Sequence, residues 1–508
     1  MASSPVTEFY RGKTVFITGG TGFLGICLIE KLLRACPDIK NIYLLLRPKK
    51  GKKIEERLEE LTKDPVFETL KEKGSSDALQ KLIGVAGDVG EEGLGLSAAD
   101  RQTLINNVQI VVHSAATLDF EATMRPTVNI NLLGTRRVVQ LCKEIRGFEG
   151  LVHVSSAYVN STLSEPTEKV YPPPAEVDKI LKMVKELDDK ELDNATPGIL
   201  GNHPNTYTFT KHLAEHEVLN SSLPAAIVRP SMITAAWKEP VPGWTISKNG
   251  PQGFIMGAST GVLRRLPVAS SLIYDYIPVD IVVNNLIVAG YNITHDREPG
   301  VKVYHCTSST CNPFKWESIE TKINEYLHTY PLQRAVWYPH IKLLPSLLLY
   351  RISAIFVHMI PAYILDTVTR VSGGRPILVR LHTNVNRSLG RLEKFIFTEW
   401  KFSNPRTLAL HESLSDVDKE KFSLDIRPLN WQLYFIDFVQ GVRRYLSKEN
   451  PKNLDKARSK DKILMIAHLA LQAGLLGLTW WIVKLLLATT WTRTGWVVPL
   501  AYMIFGLL

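Results

Sequence analysis

Cysteine is scarce in this 508-residue sequence, and no two cysteines are spaced to work as a pair. Cys27, Cys36, Cys142, Cys306 and Cys311 make an odd number without C-x-x-C spacing. That excludes a disulfide framework and a cysteine-based zinc site, and it points to a reducing compartment. The histidines are scattered singly, so no metal site is expected. A G-x-S-x-G nucleophile elbow and a P-loop are both missing, which sets aside serine hydrolysis and P-loop nucleotide hydrolysis. The polar start Met1-Ala2-Ser3-Ser4-Pro5 lacks the apolar core of a secretory leader. The ending Gly506-Leu507-Leu508 is not the peroxisomal Ser-Lys-Leu address.

What is present reads as a folded protein, with 45% hydrophobic and 22% charged residues. The net charge of +10 suits an anionic partner: a phosphate-rich cofactor, an acyl-CoA or an anionic membrane face. The basic residues are spread out and mixed with acids, so nucleic acid is not expected. The chain is long enough for two or three domains.

The most informative stretch runs from Lys13 to Gly25. Val15, Phe16, Ile17 and Thr18 suit a buried parallel strand, and they lead into Gly19, Gly22 and Gly25, spaced by three. Leu24, Leu28 and Leu32 then recur every fourth residue, the spacing of one helix face. Strand, glycine turn and helix form the setting in which a dinucleotide's pyrophosphate rests on a helix N-terminus. Gly19, Thr21, Gly22, Phe23, Leu24 and Gly25 are therefore the first cofactor-binding candidates. A second strand, Asn41 to Leu46, ends at Arg47, with Pro48, Lys49 and Lys50 after it. An NAD-binding fold carries an acid near this point for the ribose 2′-OH. A guanidinium there pairs instead with a 2′-phosphate, which favours NADPH. The alternative is a solvated charge run opening the helix 54–61.

Further strands are expected at 82–89, ending in Gly87-Asp88, at 108–113, at 151–154 and at 226–230. Asp88, at the carboxyl end of the sheet, can accept the adenine amino group. The small residues Ser114, Ala115 and Ala116 let the backbone approach the cofactor, with Ala115 the contact candidate. Residues 164–205 read as an insertion, with a triple-proline break and a charged helix over 176–191. Strands alternating with helical patterns predict an α/β fold, a doubly wound parallel Rossmann-type sheet with its ligand at the carboxyl ends of the strands.

The chemistry falls on Ser156, Tyr207 and Lys211. Tyr207 and Lys211 lie four apart at the start of a helix, hence on one face. An ammonium near a phenol lowers the phenol's pKa from about 10. Ser156 can hydrogen-bond a substrate oxygen beside Tyr207, and Lys211 can hold the nicotinamide ribose. Together they serve carbonyl reduction, with Tyr207 protonating the developing oxyanion.

From about residue 312 the pattern changes. Residues 341–368 are strongly apolar but carry Arg351, His358, Pro345 and Pro361, which do not suit a clean membrane span. A greasy tunnel wall or a surface dipping into lipid fits better. Trp431, Tyr434, Phe435, Phe438, Val442 and Tyr445 keep a helical stripe expected to face a core. Residues 463–483 are 21 in a row without formal charge, enough for a membrane core of roughly 30 Å. Trp480, Trp481 and Lys484 suit an interfacial anchor, and the basic residues Lys452 to Lys462 place the preceding side in the cytosol. The second apolar run, 496–508, is short, so the tail either crosses the membrane or forms a hairpin in one leaflet. A buried C-terminal helix is the soluble alternative.

These residues resemble the fatty acyl-CoA reductases, extended short-chain dehydrogenases with a male-sterility-type C-terminal domain. The similarity rests on Thr18 to Gly25, His153 to Tyr158, Tyr207-Thr208-Phe209-Thr210-Lys211, Glu239 to Trp244, Asn249-Gly250-Pro251, Ile277-Pro278-Val279-Asp280, Trp431 to Phe435 and Gly441 to Leu446. It spans nearly the whole chain. The family often has Thr where Ser156 stands, and either hydroxyl can donate. The resemblance implies NADPH-dependent reduction of a long-chain acyl-CoA to a primary alcohol, through an aldehyde. By motif, Asn131 would support a proton-relay helix and Pro230 would line the nicotinamide site. The expected organisation is a reductase domain over 1–311, a helical C-terminal domain over 312–455 and a membrane anchor over 456–508. The catalytic part would face the cytosol at endoplasmic reticulum or peroxisome. A membrane-bound hydroxysteroid-type dehydrogenase would share the glycine turn and Tyr207/Lys211, but not the Pro242-Gly243-Trp244 stretch. A non-catalytic NADP-binding scaffold would have no need of Ser156, Tyr207 and Lys211 together.

Overall fold

A computed structural model describes residues 4–48, 51–72, 76–296, 300–487 and 495–500. The expectations resting on Lys49, Lys50 and residues 501–508 lie outside this set. Seven strands form one sheet in the order β7-β6-β5-β4-β1-β2-β3. They are β1 (Thr14–Thr18), β2 (Asn41–Leu46), β3 (Leu82–Ala86), β4 (Ile110–His113), β5 (Gly150–Val154), β6 (Ala225–Pro230) and β7 (Lys302–Cys306). Every neighbouring pair is parallel. Both faces are covered, which is why β1, β4, β5, β6 and β7 are buried at every residue rather than alternating. The strand order reverses between β1 and β4, and the crevice at their carboxyl ends is where doubly wound sheets bind ligands.

Three expected boundaries shift. The third strand stops at Ala86, because the chain turns at Gly87, where a Cβ would lie 2.4 Å from the Leu94 carbonyl. The fourth begins at Ile110, since Val108 caps the preceding helix. The insertion's charged helix is two helices, α3 (Val177–Glu186) and α4 (Asp189–Leu200). Asp188 ends the first and restarts the second: its side chain accepts from the Glu191 N–H, and Glu191 accepts from the Asp188 N–H.

Helix α1 (Phe23–Ala35) follows β1, α2 (Gly134–Glu144) follows a π-helical turn at Val128–Leu133, and α5 (Thr206–Leu219) follows the insertion. Helix α6 (Val279–His295) packs on α1, β5 and β6. Phe16, Val111, Leu151 and Ile227 of the sheet share a core with Val138, Leu141 and Val218 of α2 and α5.

The described residues divide into two units. One holds the chain up to Trp244, Ile273–Phe314 and Trp400–Asn430, and contains the sheet. Residues 400–430 thus join this unit rather than the helical domain expected from 312 on. They are held there by Trp400 Nε1 donating to the Ser161 carbonyl at 3.2 Å and Phe402 N–H donating to Ser309 Oγ at 2.9 Å. The second holds Thr245–Leu272, Lys315–Glu399 and the chain from Trp431 on. Its elements include α7 (Leu347–Ala354), a π-helical turn at Ile355–Met359, α8 (Ile360–Val371), α9 (Leu378–Ile396) and the 33-residue α10 (Leu454–Leu486). Trp431, Tyr434, Phe435, Phe438 and Val442 of the expected stripe are buried, while Tyr445 at its end is only half-buried. Two apolar helical stretches, Leu347–Val371 and Pro451–Leu486, are long and apolar enough to cross a membrane.

The 239–244 stretch clamps α1 at both ends. Glu239 pairs with Lys31 and, at 2.9 Å, with Arg34, while Trp244 stacks on Phe23 with ring centroids 5.4 Å apart. Asp280, buried at the start of α6, holds the beginning of that clamp. Its carboxylate accepts from the N–H groups of Trp237 (2.9 Å), Lys238 (2.8 Å) and Glu239 (3.1 Å). Asp280→Ala leaves three amides without their acceptor and is expected to cost about 2 kcal/mol or more. The check is the thermal unfolding midpoint of detergent-solubilised protein, which should fall clearly, with Asp280→Asn falling less.

Candidate active site

Three strand ends converge on one crevice. After β1 the chain turns at Gly19, whose φ of +76° is the left-handed region that glycine adopts without strain. A Cβ on Gly19 would sit 2.8 Å from the Ala115 backbone nitrogen, just after β4. A Cβ on Gly25 would lie 2.3 Å from the Gly19 carbonyl. Gly22 caps α1 and supplies no side-chain acceptor for its first amides. The result is a turn with bare backbone over a helix N-terminus, which fits the phosphates of a dinucleotide. Thr21, Phe23 and Leu24 complete that turn.

Ala115 N–H donates to Thr18 Oγ1 at 3.2 Å, joining the ends of β4 and β1. Arg47, at the end of β2, reaches Asp88 at 3.6 Å. Asp88 Oδ1 also accepts from Gly90 N–H at 2.9 Å. The two residues expected at the adenosine end are therefore neighbours, with the Arg47 side chain 62% exposed and open to an incoming phosphate.

Ser156, Tyr207 and Lys211 are brought together at the end of β5. Asn205 caps α5 by accepting from Thr208 N–H at 2.9 Å, which sets Tyr207 and Lys211 one turn apart on its first turns. All three side chains are buried or nearly so. The Ser156 hydroxyl lies beside the Tyr207 phenol. The Lys211 ammonium donates to the Val154 carbonyl at 2.5 Å. Asn131 sits in the π-helical turn before α2: its amide donates to Thr210 Oγ1 at 3.2 Å and its carbonyl oxygen accepts from Thr117 N–H at 3.0 Å. It thus bridges α5 to the loop after β4. Pro230 ends β6, next to β5 in the sheet.

The electrostatics differ from the simplest expectation. Burial pushes the Tyr207 phenol up to about 12, and the neighbouring Ser156 hydroxyl only partly offsets this. Tyr207 therefore holds its proton at neutral pH instead of being lowered by Lys211, whose ammonium is spent on Val154. Burial also brings Lys211 down to about 8, against the pull of Glu215. His113 is likewise driven down to about 3 by burial and by Lys211, so it stays neutral between Thr18 Oγ1 (2.7 Å) and Thr135 Oγ1 (3.1 Å).

Glu215 and Arg229 went unnoticed in the sequence. Both are fully buried and paired at 2.6 Å, and Ser155 donates to the same carboxylate. Burial raises the Glu215 pKa, but Arg229 and Ser155 outweigh it and keep the group ionised. The signal was available: Glu215 continues the four-residue spacing of Tyr207 and Lys211.

A parallel sheet in this order, a bare glycine turn at its switch point and a Ser–Tyr–Lys group beside it define an NAD(P)-binding reductase of the extended short-chain dehydrogenase type. Two family profiles, both described as "Male sterility protein", match residues 17–286 and 357–449. The chain is 56% identical over its full length to a Drosophila melanogaster protein, itself covered completely, named "Putative fatty acyl-CoA reductase CG8306". It is 37% identical to fatty acyl-CoA reductase 1 of Xenopus laevis and 34% to that of Homo sapiens, covering 89% of this chain and 88% of each relative. The chain belongs to the fatty acyl-CoA reductase family, and is an oxidoreductase. Among solved structures it resembles the reductase domain of a non-ribosomal peptide synthetase from Mycobacterium tuberculosis, with TM-score 0.54 and 18% identity over 88% of this chain and 93% of that one. The terminal R domain of the myxalamid pathway gives 0.52 and 19%, over 86% and 90%. At such identities the likeness speaks for the fold alone.

Gly25→Ala tests the turn. The methyl group must displace the Gly19 carbonyl, so nucleotide affinity, followed by quenching of tryptophan fluorescence, should drop at least about tenfold, the equivalent of roughly 1.4 kcal/mol.

Proposed function

We propose that this protein reduces long-chain acyl-CoA to a primary fatty alcohol with NADPH, releasing CoA and passing through an aldehyde. The observation that carries the reading is the meeting of Ser156, Tyr207 and Lys211 at the end of one strand, next to the strand whose end the glycine turn touches at Ala115. When bound, NADPH supplies the hydride, two equivalents per alcohol, and CoA leaves as its thiol after the first. Gly19, Thr21, Gly22, Phe23, Leu24 and Gly25 hold its pyrophosphate, Arg47 its 2′-phosphate, and Asp88, Ala115 and Pro230 border it. Ser156 orients the substrate carbonyl oxygen. Tyr207, protonated at neutral pH, gives its proton to the oxygen as negative charge develops there. Lys211 keeps a positive charge beside that oxygen and on the ribose side. Asn131 holds the α5 segment in register through Thr210. Membrane association through α10 brings the enzyme to where long acyl chains are found.

Tyr207→Phe should lower kcat by about 10²–10⁴-fold while leaving NADPH binding near normal. A variant of full rate removes Tyr207 as the proton donor. The pH profile has a stated sign. Lys211 is charged below its value of about 8 and neutral above it, so kcat/KM should fall as pH rises through 8. Lys211→Arg should carry that limb to higher pH. Arg47→Ala should raise the KM for NADPH at least about tenfold and leave NADH almost unchanged. Turnover is followed by NADPH loss together with lipid products from palmitoyl- or stearoyl-CoA. Turnover of a sterol with none of any acyl-CoA would favour the hydroxysteroid reading.

A further inference from the structure

The apolar stretch 341–368 is not packed away. Along the continuous α7–α8 helix, Leu347, Tyr350, Ala354, His358, Ala362 and Asp366 are buried at spacings of three and four, one helix face. That inner face mixes apolar residues with polar ones that are tied down. Tyr350 donates to Asn386 Oδ1 at 2.6 Å, and Arg264 N–H reaches His358 Nε2 at 3.0 Å. Asp366 accepts from Ile377 and Leu378 at 3.1 Å and from Val379 at 2.8 Å, the first amides of α9. The outer face is the apolar one: Ile355, Phe356, Ile364, Leu365 and Val368 are each more than half exposed. The amphipathicity is inverted, with the polar groups toward the protein and the oily face outward.

Charge supplies the second argument. Between residues 347 and 396 the chain has seven bases (Arg351, Arg370, Arg375, Arg380, Arg387, Arg391, Lys394) and two acids, Asp366 and Glu393. Of the acids Asp366 is buried, whereas all seven bases are exposed. An apolar face beside a field of arginine matches an anionic lipid surface.

Continuity supplies the third. His358 is bonded to Arg264. Four residues earlier, the Thr260 carbonyl accepts from Val336 N–H at 2.9 Å and from Trp337 N–H at 3.4 Å. Trp337 Nε1 in turn donates to His468 Nδ1, in the apolar part of α10, at 3.3 Å. The α7–α8 helix and the tail helix are thus both anchored on the five residues 260–264, a span of at most about 18 Å. A helix whose inner face carries buried Ser353 and the bonded side chains of His358 and Asp366 cannot also be surrounded by lipid: 33% of its apolar stretch is buried, against 6% for α10.

We propose that α7–α8 lies in the membrane interface as a second, monotopic contact, its outer face in the acyl chains of an anionic leaflet and its arginines at the headgroups. This rests on the membrane reading of α10 given above. The full-length protein carrying Cys311→Ser and an environment-sensitive fluorophore on Ile364→Cys, or separately on Phe356→Cys, is reconstituted into phosphatidylcholine vesicles with or without one-fifth phosphatidylserine. We expect co-flotation with the vesicles, blue-shifted emission at both sites, and roughly twofold quenching by lipids with a nitroxide near the headgroup. Arg380→Glu with Arg387→Glu should remove the gain from phosphatidylserine without detaching the protein. Failure to float overturns the α10 reading itself. Flotation with both labels in water overturns this proposal alone, as does protection by a cross-linked second copy. Stronger quenching by a nitroxide at the chain end would make the helix a span and overturn its interfacial placement.

Discussion

The site depends on a close backbone approach that leaves no room for a Cβ. Gly19, Gly25 and the amide of Ala115 meet where β1, β4 and α1 converge, and side chains there would part them by an ångström or more. The same lack of side chains leaves the first amides of α1 bare for phosphate. Packing and binding are thus one requirement, which explains why the chain devotes a distant segment to holding α1 in place. Asp280 fixes the backbone at 237–239, Glu239 grips Lys31 and Arg34, and Trp244 covers Phe23.

Beside that turn, burial does most of the electrostatic tuning. Tyr207 and Lys211 are both moved against their charged forms, the phenol upward and the ammonium downward. Glu215 restrains the second shift, and Arg229 keeps Glu215 charged. A buried pair of this kind is poor evidence for stability, because desolvation consumes much of its attraction. Its position one helical turn beyond Lys211 makes it a fixed negative end opposing the loss of the lysine's proton.

Much of this was legible in the sequence, for physical reasons. Strands buried on both faces read as short apolar runs, so six of the seven could be located within a few residues. β7 escaped because Lys302-Val303-Tyr304-His305-Cys306 mixes charged and apolar residues, its polar groups being satisfied within the fold. Ser156, Tyr207 and Lys211 meet at the end of β5, while Asn131 joins α5 to the loop after β4. The direction of the Tyr207 shift was missed, because a four-residue spacing shows that two side chains share a face and not what each one touches. The split at Asp188 was missed by counting charges instead of recognising a capping box. In the 341–368 stretch the apolar content was plain. Which side faced out was not, since composition carries no phase and only the buried 347–350–354–358–362–366 series supplies it.

The path of the chain between the two units has a consequence for biogenesis. The sheet-bearing unit is left at Trp244, rejoined at Ile273, left again after Phe314 and completed only by residues 400–430. Those last residues are not decoration: Glu168 of the insertion accepts from Arg406 and Thr407, and Asp418 bonds Ser4. A ribosome must therefore release more than four-fifths of the protein before the catalytic unit can close. By then the helix at 347–371, oily on its outer side, has already emerged. The nascent chain must shield that surface while its first unit waits, which makes prompt delivery to a membrane, or a chaperone's cover, part of how this fold is reached.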